Sequence, residues 1–289
     1  MQITMFEWFL IAGSAIAMVI LFAIKTGQAR ETRKTELLRK QLSQGVGQSV
    51  RESVNFSSLS ILPPPVERYL KHVLTDGQAM IKAVKMQQSG KLRTSINNKK
   101  WYRFTSSQVI SPATSGFVWN AKVEMPLATH IRVNDSYHSG IGSGRVTFLS
   151  AFAVGSDTNI PELNSAALHR YLAEGVWYPT ALLPLSGVTW TSIDDNSALA
   201  TLTDNNITVS LEFRFNSEGE VTSIYTPERF FRNRNGTYQA MPWDIQLGNY
   251  KVRDGMRVPF HAEVCWHIDG ASELVWIGDV IDAQYGFSS

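Results

Sequence analysis

The chain has 289 residues, a formal net charge of +2, 18% charged residues and 11% aromatic residues, 8 of them Trp. Such a composition belongs to a globular chain with a large apolar payload and excludes a disordered one. The basic excess is confined to the first forty or so residues, which leaves no footprint for nucleic acid, and a single cysteine, Cys265, excludes an internal disulfide.

Residues 6–24 form a nearly unbroken apolar run. As a helix this run is about 28 Å long, close to the hydrocarbon thickness of a bilayer. A cleaved signal peptide would carry a basic start and a small-residue cleavage site. No Lys or Arg precedes Trp8, and Ala23-Ile24-Lys25 is a poor cleavage site, so residues 1–25 read as an uncleaved, single-pass anchor in the plasma (inner) membrane. Lys25, Arg30, Arg33, Lys34, Arg39 and Lys40 all follow the run. The positive-inside rule then places the rest of the chain in the cytoplasm, with a periplasmic or other extracytoplasmic location as the alternative. The neighbouring lipid headgroups can neutralise these charges.

Residues 26–60 read as a charged juxtamembrane segment and linker. The first part, 26–42, continues the helix, with Glu36 and Lys40 spaced for an i,i+4 pair; 44–60 is rich in Ser, Gln and Gly. Leu62-Pro63-Pro64-Pro65 then opens a helix whose apolar stripe is Val66, Tyr69, Leu70, Val73 and Leu74.

From Lys82 onward the period changes to two. Phe117, Trp119, Ala121, Val123 and Met125 alternate with polar neighbours, as do Ile131, Val133 and Tyr137, then Val209, Leu211, Phe213 and Phe215, then Phe260, Ala262, Val264, Trp266 and Ile268. Such alternation marks antiparallel strands with one dry face. Ten or eleven strands are expected over residues 61–289, too many for one flat sheet, so they curl into a half-barrel or barrel. One helix interrupts them near 164–177, capped by Asn164 or Ser165 and ended by Pro179. The fold class is therefore mainly β (α+β): an N-terminal transmembrane helix, then a curled antiparallel sheet with one or two packed helices.

Chemistry is sparser. Arg170 and Glu174 sit at i,i+4 beside Trp177 and Tyr178; they read as an ion pair, or as an acid–base residue with an anion-orienting partner. His261, Glu263, Cys265 and His267 share one strand face, but an extended strand holds its ends about 20 Å apart, too far for one ion, and no metal or cofactor is expected. Asp194-Asp195 reads as a turn. Gly140, Gly142 and Gly144 beside Arg145 fit no phosphate-binding fingerprint and read as relief of strand curvature. Arg229, Phe230, Phe231, Arg232 and Arg234 read as a solvated hairpin end, with lipid headgroups or phosphates as the sharper alternative.

Leu62-Pro63-Pro64-Pro65-Val66-Glu67-Arg68-Tyr69-Leu70, Gly116-Phe117-Val118-Trp119-Asn120-Ala121, Pro242-Trp243 and Asp254-Gly255-Met256-Arg257-Val258-Pro259 resemble a bacterial domain-of-unknown-function family. So does Arg170-Tyr171-Leu172-Ala173-Glu174-Gly175-Val176-Trp177-Tyr178-Pro179-Thr180-Ala181-Leu182-Leu183-Pro184. The resemblance covers residues 60–280 and transfers no catalytic residue. The order of strands around an inserted helix is also similar to lipoprotein-carrier half-barrels of the LolA and LolB type, which implies an apolar concavity for acyl chains.

The expected function is binding of an apolar ligand, a lipid or acyl chain, in a cavity lined by Phe117, Trp119, Trp177, Phe213, Phe215, Phe260 and Trp266. The expected partners are membrane lipids and an apolar small molecule or lipid-modified protein. The alternatives are an enzyme using Glu174 and Arg170 in a cleft, and a ligand-free, membrane-tethered interaction module.

Overall fold

The computed structural model describes residues 5–44 and 53–288. The apolar run and the charged segment after it are one helix, α1 (Met5–Gln44). A short helix, α2 (Pro64–Val73), follows with Pro at its first turn, where the missing N–H is no loss. Six strands come next: β1 (Ile81–Leu92), β2 (Tyr102–Ser111), β3 (Gly116–Met125), β4 (Thr129–His138), β5 (Ile141–Phe148) and β6 (Phe152–Thr158). After helix α3 (Pro161–Glu174) come β7 (Val188–Asp194), β8 (Ser197–Asp204), β9 (Ile207–Phe215), β10 (Val221–Arg232), β11 (Tyr238–Arg253), β12 (Met256–Ile268) and β13 (Ala271–Phe287).

All thirteen strands of the described residues join one sheet, ordered β6-β5-β4-β3-β2-β1-β13-β12-β11-β10-β9-β8-β7. The mainly β, curled antiparallel fold expected from alternation is the fold observed; the strand count of ten or eleven is corrected to thirteen. The missed signal is clearest at β6, an edge strand exposed on both faces, which has no dry side to impose alternation.

Helix α3 and the single turns over 175–186 connect the two sheet edges and run through the concavity. They pack on β4 and β5 of one arm and on β9 and β10 of the other. The helix begins three residues earlier than expected, at Pro161, with no side-chain cap. Asn164 is engaged elsewhere: its Oδ1 accepts the Gly142 N–H at 2.7 Å. Gly142 is needed there, because a Cβ would fall 2.8 Å from the Leu163 carbonyl oxygen. The core under α3 and α2 includes Tyr69, Tyr137, Tyr178, Phe104, Phe117 and Phe213, each fully buried.

The packed body starts upstream of residue 61. Ser53 bridges Ala79, and Val54 and Leu59 are buried in the core. The 45–52 portion of the expected linker lies outside the described residues.

Helix α1 divides by function of its surface. Residues 5–22 are exposed wherever their side chains are described, and this is the one helix among the described residues long and apolar enough to cross a membrane. Its second half lies against the convex face of the sheet along a stripe spaced three and four residues apart. The Gln28 amide donates to the Leu149 carbonyl (3.0 Å), and Thr35 Oγ1 bonds Asn134 Oδ1 (3.3 Å). Arg39 Nη2 donates to Ser107 Oγ (2.8 Å), and Leu42 is buried beside Gly116. Glu31 takes both arms of Arg145, at 2.7 and 2.8 Å.

Glu31 is buried and Arg145 holds its carboxyl below the ordinary glutamate range, against the opposing effect of burial. A depressed acid stabilises the folded state above its unfolded pKa and loses that contribution as pH falls through the folded value. Glu31→Gln should therefore loosen the docked half of α1 by about 1.5–3 kcal/mol at neutral pH, the range for charge-assisted hydrogen bonds. Amide exchange over residues 28–42 reads this directly, and the difference from wild type should vanish in acid. Unchanged protection at neutral pH would show that α1 is held without this pair.

Candidate functional site

The inward faces of the central strands converge on a cavity of about 230 Å³ on the concave side of the sheet. Five indoles line it: Trp119 from β3, Trp177 from the turn after α3, Trp243 from β11, Trp266 from β12 and Trp276 from β13. Trp119 Nε1 donates to Gln88 Oε1 (2.9 Å), and Trp177 Nε1 donates to the Pro259 carbonyl (2.8 Å). These bonds fix two of the rings at the cavity wall.

Four charged side chains sit at the same cavity: Asp135, Arg170, Glu174 and Arg229. Arg170 Nε donates to Glu174 Oε1 (2.7 Å), and its Nη1 donates to Asp135 Oδ2 (2.9 Å). The guanidinium also lies over the rings of Phe117 (5.0 Å) and Trp119 (4.8 Å). Gln108 Nε2 donates to the second Glu174 oxygen. Both oxygens of this buried carboxylate are therefore occupied.

Arg229 is held differently. Its guanidinium is stacked between Trp243 (4.6 Å) and Trp266 (5.3 Å). Its Nε donates to the Ala166 carbonyl (3.2 Å), and no carboxylate among the described residues pairs with it. The reason it points inward is a bulge: the β10–β11 register slips between Thr226 and Arg229, with Pro227 in the slipped segment. Arg229 also lines an adjoining chamber of about 300 Å³, toward β5 and β6, which shares Asp135 and Trp266 with the first.

Burial governs the electrostatics here. It pushes the Asp135 carboxyl up, against the lowering pull of Arg170 and Arg229. It brings Arg229 down to about 10, with Arg170 acting in the same sense. Burial also works against the charge on Arg170, but Glu174 and Asp135 more than offset it and hold its pKa above the ordinary value. His169, buried on α3 near Arg229, is pushed down to about 4 and stays neutral at physiological pH.

Of the residues singled out from the sequence, Trp119, Trp177, Trp266, Arg170 and Glu174 meet at this one cavity. Phe117 lies beneath Arg170 in the core. Phe213 packs edge-on against Trp190 and Phe215 against Tyr69, both in the core of the other arm. Phe260 is half-buried below Lys251. The strand face of β12 is divided: His261 bonds Asp279 and Glu263, His267 bonds Asp244, and Cys265 is buried. Asp194 accepts the Asn196 N–H in a turn.

The basic–aromatic hairpin needs correction. Arg232 and Arg234 are exposed near its end, where Arg232 pairs with Asp157 of β6, but Arg229 is inside the cavity because the bulge changes the phase of the strand. Asp135 was also overlooked, although its signal was present. It occupies the register of Ile131, Val133 and Tyr137, the inward face of β4, where an acid stands out among apolar residues.

The chain belongs to a family of unknown function (DUF6920), whose model matches residues 60–285. No curated protein matches it. Similar solved structures include the following three. A putative outer membrane lipoprotein-sorting protein domain from Vibrio parahaemolyticus is 10% identical with a TM-score of 0.37, covering 70% of this chain and 85% of that one. A LolA superfamily protein from Nitrosomonas europaea is 11% identical with a TM-score of 0.33, covering 80% and 94%. A DUF1329 family protein from Desulfovibrio piger is 6% identical with a TM-score of 0.41, covering 78% and 93%. The family is the one the sequence motifs indicate, and the half-barrel likeness is the one read from the order of strands around the inserted helix.

Proposed function

We propose that the domain is tethered to the membrane by α1 and binds an amphiphile, its apolar chain in the tryptophan-lined cavity and its acidic head at Arg229. The observation that carries this reading is the pairing, on one cavity, of five lining indoles with a guanidinium that has no carboxylate partner. Indole surfaces suit an acyl chain, and a half-buried cation without a carboxylate partner favours an anion. Together the two chambers reach the size range of small-molecule sites, about 300–1,000 Å³.

An acid–base role for Glu174 is disfavoured because Arg170 and Gln108 occupy both its oxygens. By the charge asymmetry around the apolar run, we place the domain on the cytoplasmic side. A reporter fused after Ser289 that is active only in the periplasm would reverse that placement.

The binding test compares lipid extracts of the purified full chain with those of Ala262→Phe, which fills the cavity from β12. A lipid retained in about 1:1 ratio by wild type and lost from the variant is the expected result. Identical extracts from the two proteins would mean that the lipid only surrounds α1, and that the cavity is merely a gap in the core.

A further inference from the structure

Two turns of the sheet place leucine where the backbone is left-handed. In the β3–β4 turn Leu127 and Ala128 have φ of 59° and 55°; in the β5–β6 turn Leu149 and Ser150 have φ of 52° and 56°. Such positions favour Gly, Asn or Asp, and a bulky apolar side chain there is strained. Every other left-handed non-glycine residue described is Ser, Asn or Asp. Packing does not account for the choice, since Leu127 is 95% exposed. Next to the second turn, Phe148 and Phe152 face each other across the hairpin, 36% and 45% exposed.

The contacts of α1 fix where these turns lie. Gly27 touches Ala151 so closely that a Cβ would fall 2.7 Å from the alanine methyl, and Gln28 bonds the Leu149 carbonyl. The Leu149 N–H donates to the His130 carbonyl (2.9 Å), which sets the two turns side by side. The apolar run of α1 ends at Ile24, so Gly27 is only about 4.5 Å further along the helix axis. The headgroup layer of a bilayer is about 5–8 Å deep on each side. Lys25, Arg30 and Arg33 lie on the same stretch of helix, where an anionic surface would meet them.

We propose that the β3–β4 and β5–β6 turns are a second membrane contact, with Leu127 and Phe152 seated in the interface of the leaflet from which α1 emerges, on an anionic lipid surface. This rests on the reading of α1 as a membrane anchor. Strain at Leu127 is then a fold-level cost retained for an apolar contact outside the fold. The contact also gives the sheet an orientation. Phe148 pairs with Ile131 on the concave side, and Val146, two residues further along β5, lines the chamber next to Arg229. A chain leaving the bilayer at the β5–β6 turn would thus meet apolar side chains on its way to the cavity.

The test uses the full chain carrying Cys265→Ser, reconstituted in nanodiscs of phosphatidylethanolamine and phosphatidylglycerol. Single cysteines replace Leu21, Leu127, Phe152 or Val252 in turn and carry a fluorophore read by nitroxide-labelled lipids. Leu21 reports the anchor itself. Val252 is exposed and lies beside Arg253, whose partner Asp282 borders the groove at the distal end of α1. Quenching at Leu21, Leu127 and Phe152 at least twofold above Val252 is the expected result. Quenching at Leu21 with Leu127 and Phe152 no higher than Val252 overturns the proposal and leaves the anchor standing; no quenching at Leu21 removes both. Leu127→Asn separates the contact from folding: it should raise the thermal midpoint in detergent while lowering quenching of the Phe152 label. A lowered midpoint would make Leu127 a structural residue and count against the proposal.

Discussion

Arg170→Met should destabilise the domain by about 3 kcal/mol, the low end of the range for removing one partner from a buried ionic group, because Glu174 is buried while the Asp135 side chain is 36% exposed and partly screened by water. The substitution leaves the Asp135 and Glu174 carboxylates at one cavity without the cation that bonds both. It also removes the guanidinium from the faces of Phe117 and Trp119. The loss should appear in chemical denaturation as a lower midpoint with an unchanged slope. Its pH dependence has a definite sign. The folded-state pKa of Asp135 is already raised by burial, and removing Arg170 raises it further. A carboxyl raised in the folded state favours folding when protonated, and that advantage is lost as pH rises from its unfolded toward its folded value. The deficit of the variant should therefore shrink as pH is lowered from neutral toward the ordinary aspartate range. A deficit that stays constant down to the ordinary aspartate range would mean the effect is packing alone.

Arg229→Met should do the opposite to stability and the worst to binding. A half-buried guanidinium without a carboxylate partner gives up part of its hydration at a cost of a few kcal/mol, whereas its two ring stacks return about 0.5–2 kcal/mol each. A methionine of similar reach should consequently raise the stability of the ligand-free domain by about 1–2 kcal/mol. Affinity for an acidic amphiphile should fall at least tenfold, since about 1.5–3 kcal/mol of charge-assisted bonding is lost. Titration with a brominated fatty acid, followed by quenching of tryptophan emission, reads the second effect in the same samples as the first. A variant that is less stable, yet binds as well, would place Arg229 in the scaffold and leave the acidic head unsupported. These two arginines line the same cavity but should respond to the same change with opposite signs.

Most of the sheet was legible in the sequence because burial on one side writes itself as period two. Trp119 and Trp266 were found in this way, from the phase of Phe117 and Ala262. Trp177, Arg170 and Glu174 were found from the helix and its ending at Pro179. What remained hidden depends on phase or on long-range pairing. Arg229 follows a Pro-containing slip in β10, and only the register against Met241 shows that it faces inward. Edge strand β6 has no buried face at all. Docking of α1 onto the sheet was hidden because its stripe is made of Gln28, Glu31, Thr35 and Arg39, which look like any solvated helix surface until Arg145 and Asn134 are brought to them. Asp135 was the one legible clue left unread, an acid in a row of apolar residues.

The sheet order also governs when the domain can form on the ribosome. Strand β1 lies next to the central strand of the sheet, β13, with Ile81 opposite Phe287. The arm from β1 to β6 can assemble by successive hairpins as it is synthesised, and so can the arm from β7 to β13. They join only when the final strand has been made. Until then β1 presents an open edge, a template for the wrong strand. A closure spanning so much of the chain is a high-contact-order step and is slow. If α1 is already in the bilayer, the first arm waits tethered and dilute in the plane of the membrane, which keeps unfinished edges of neighbouring molecules apart.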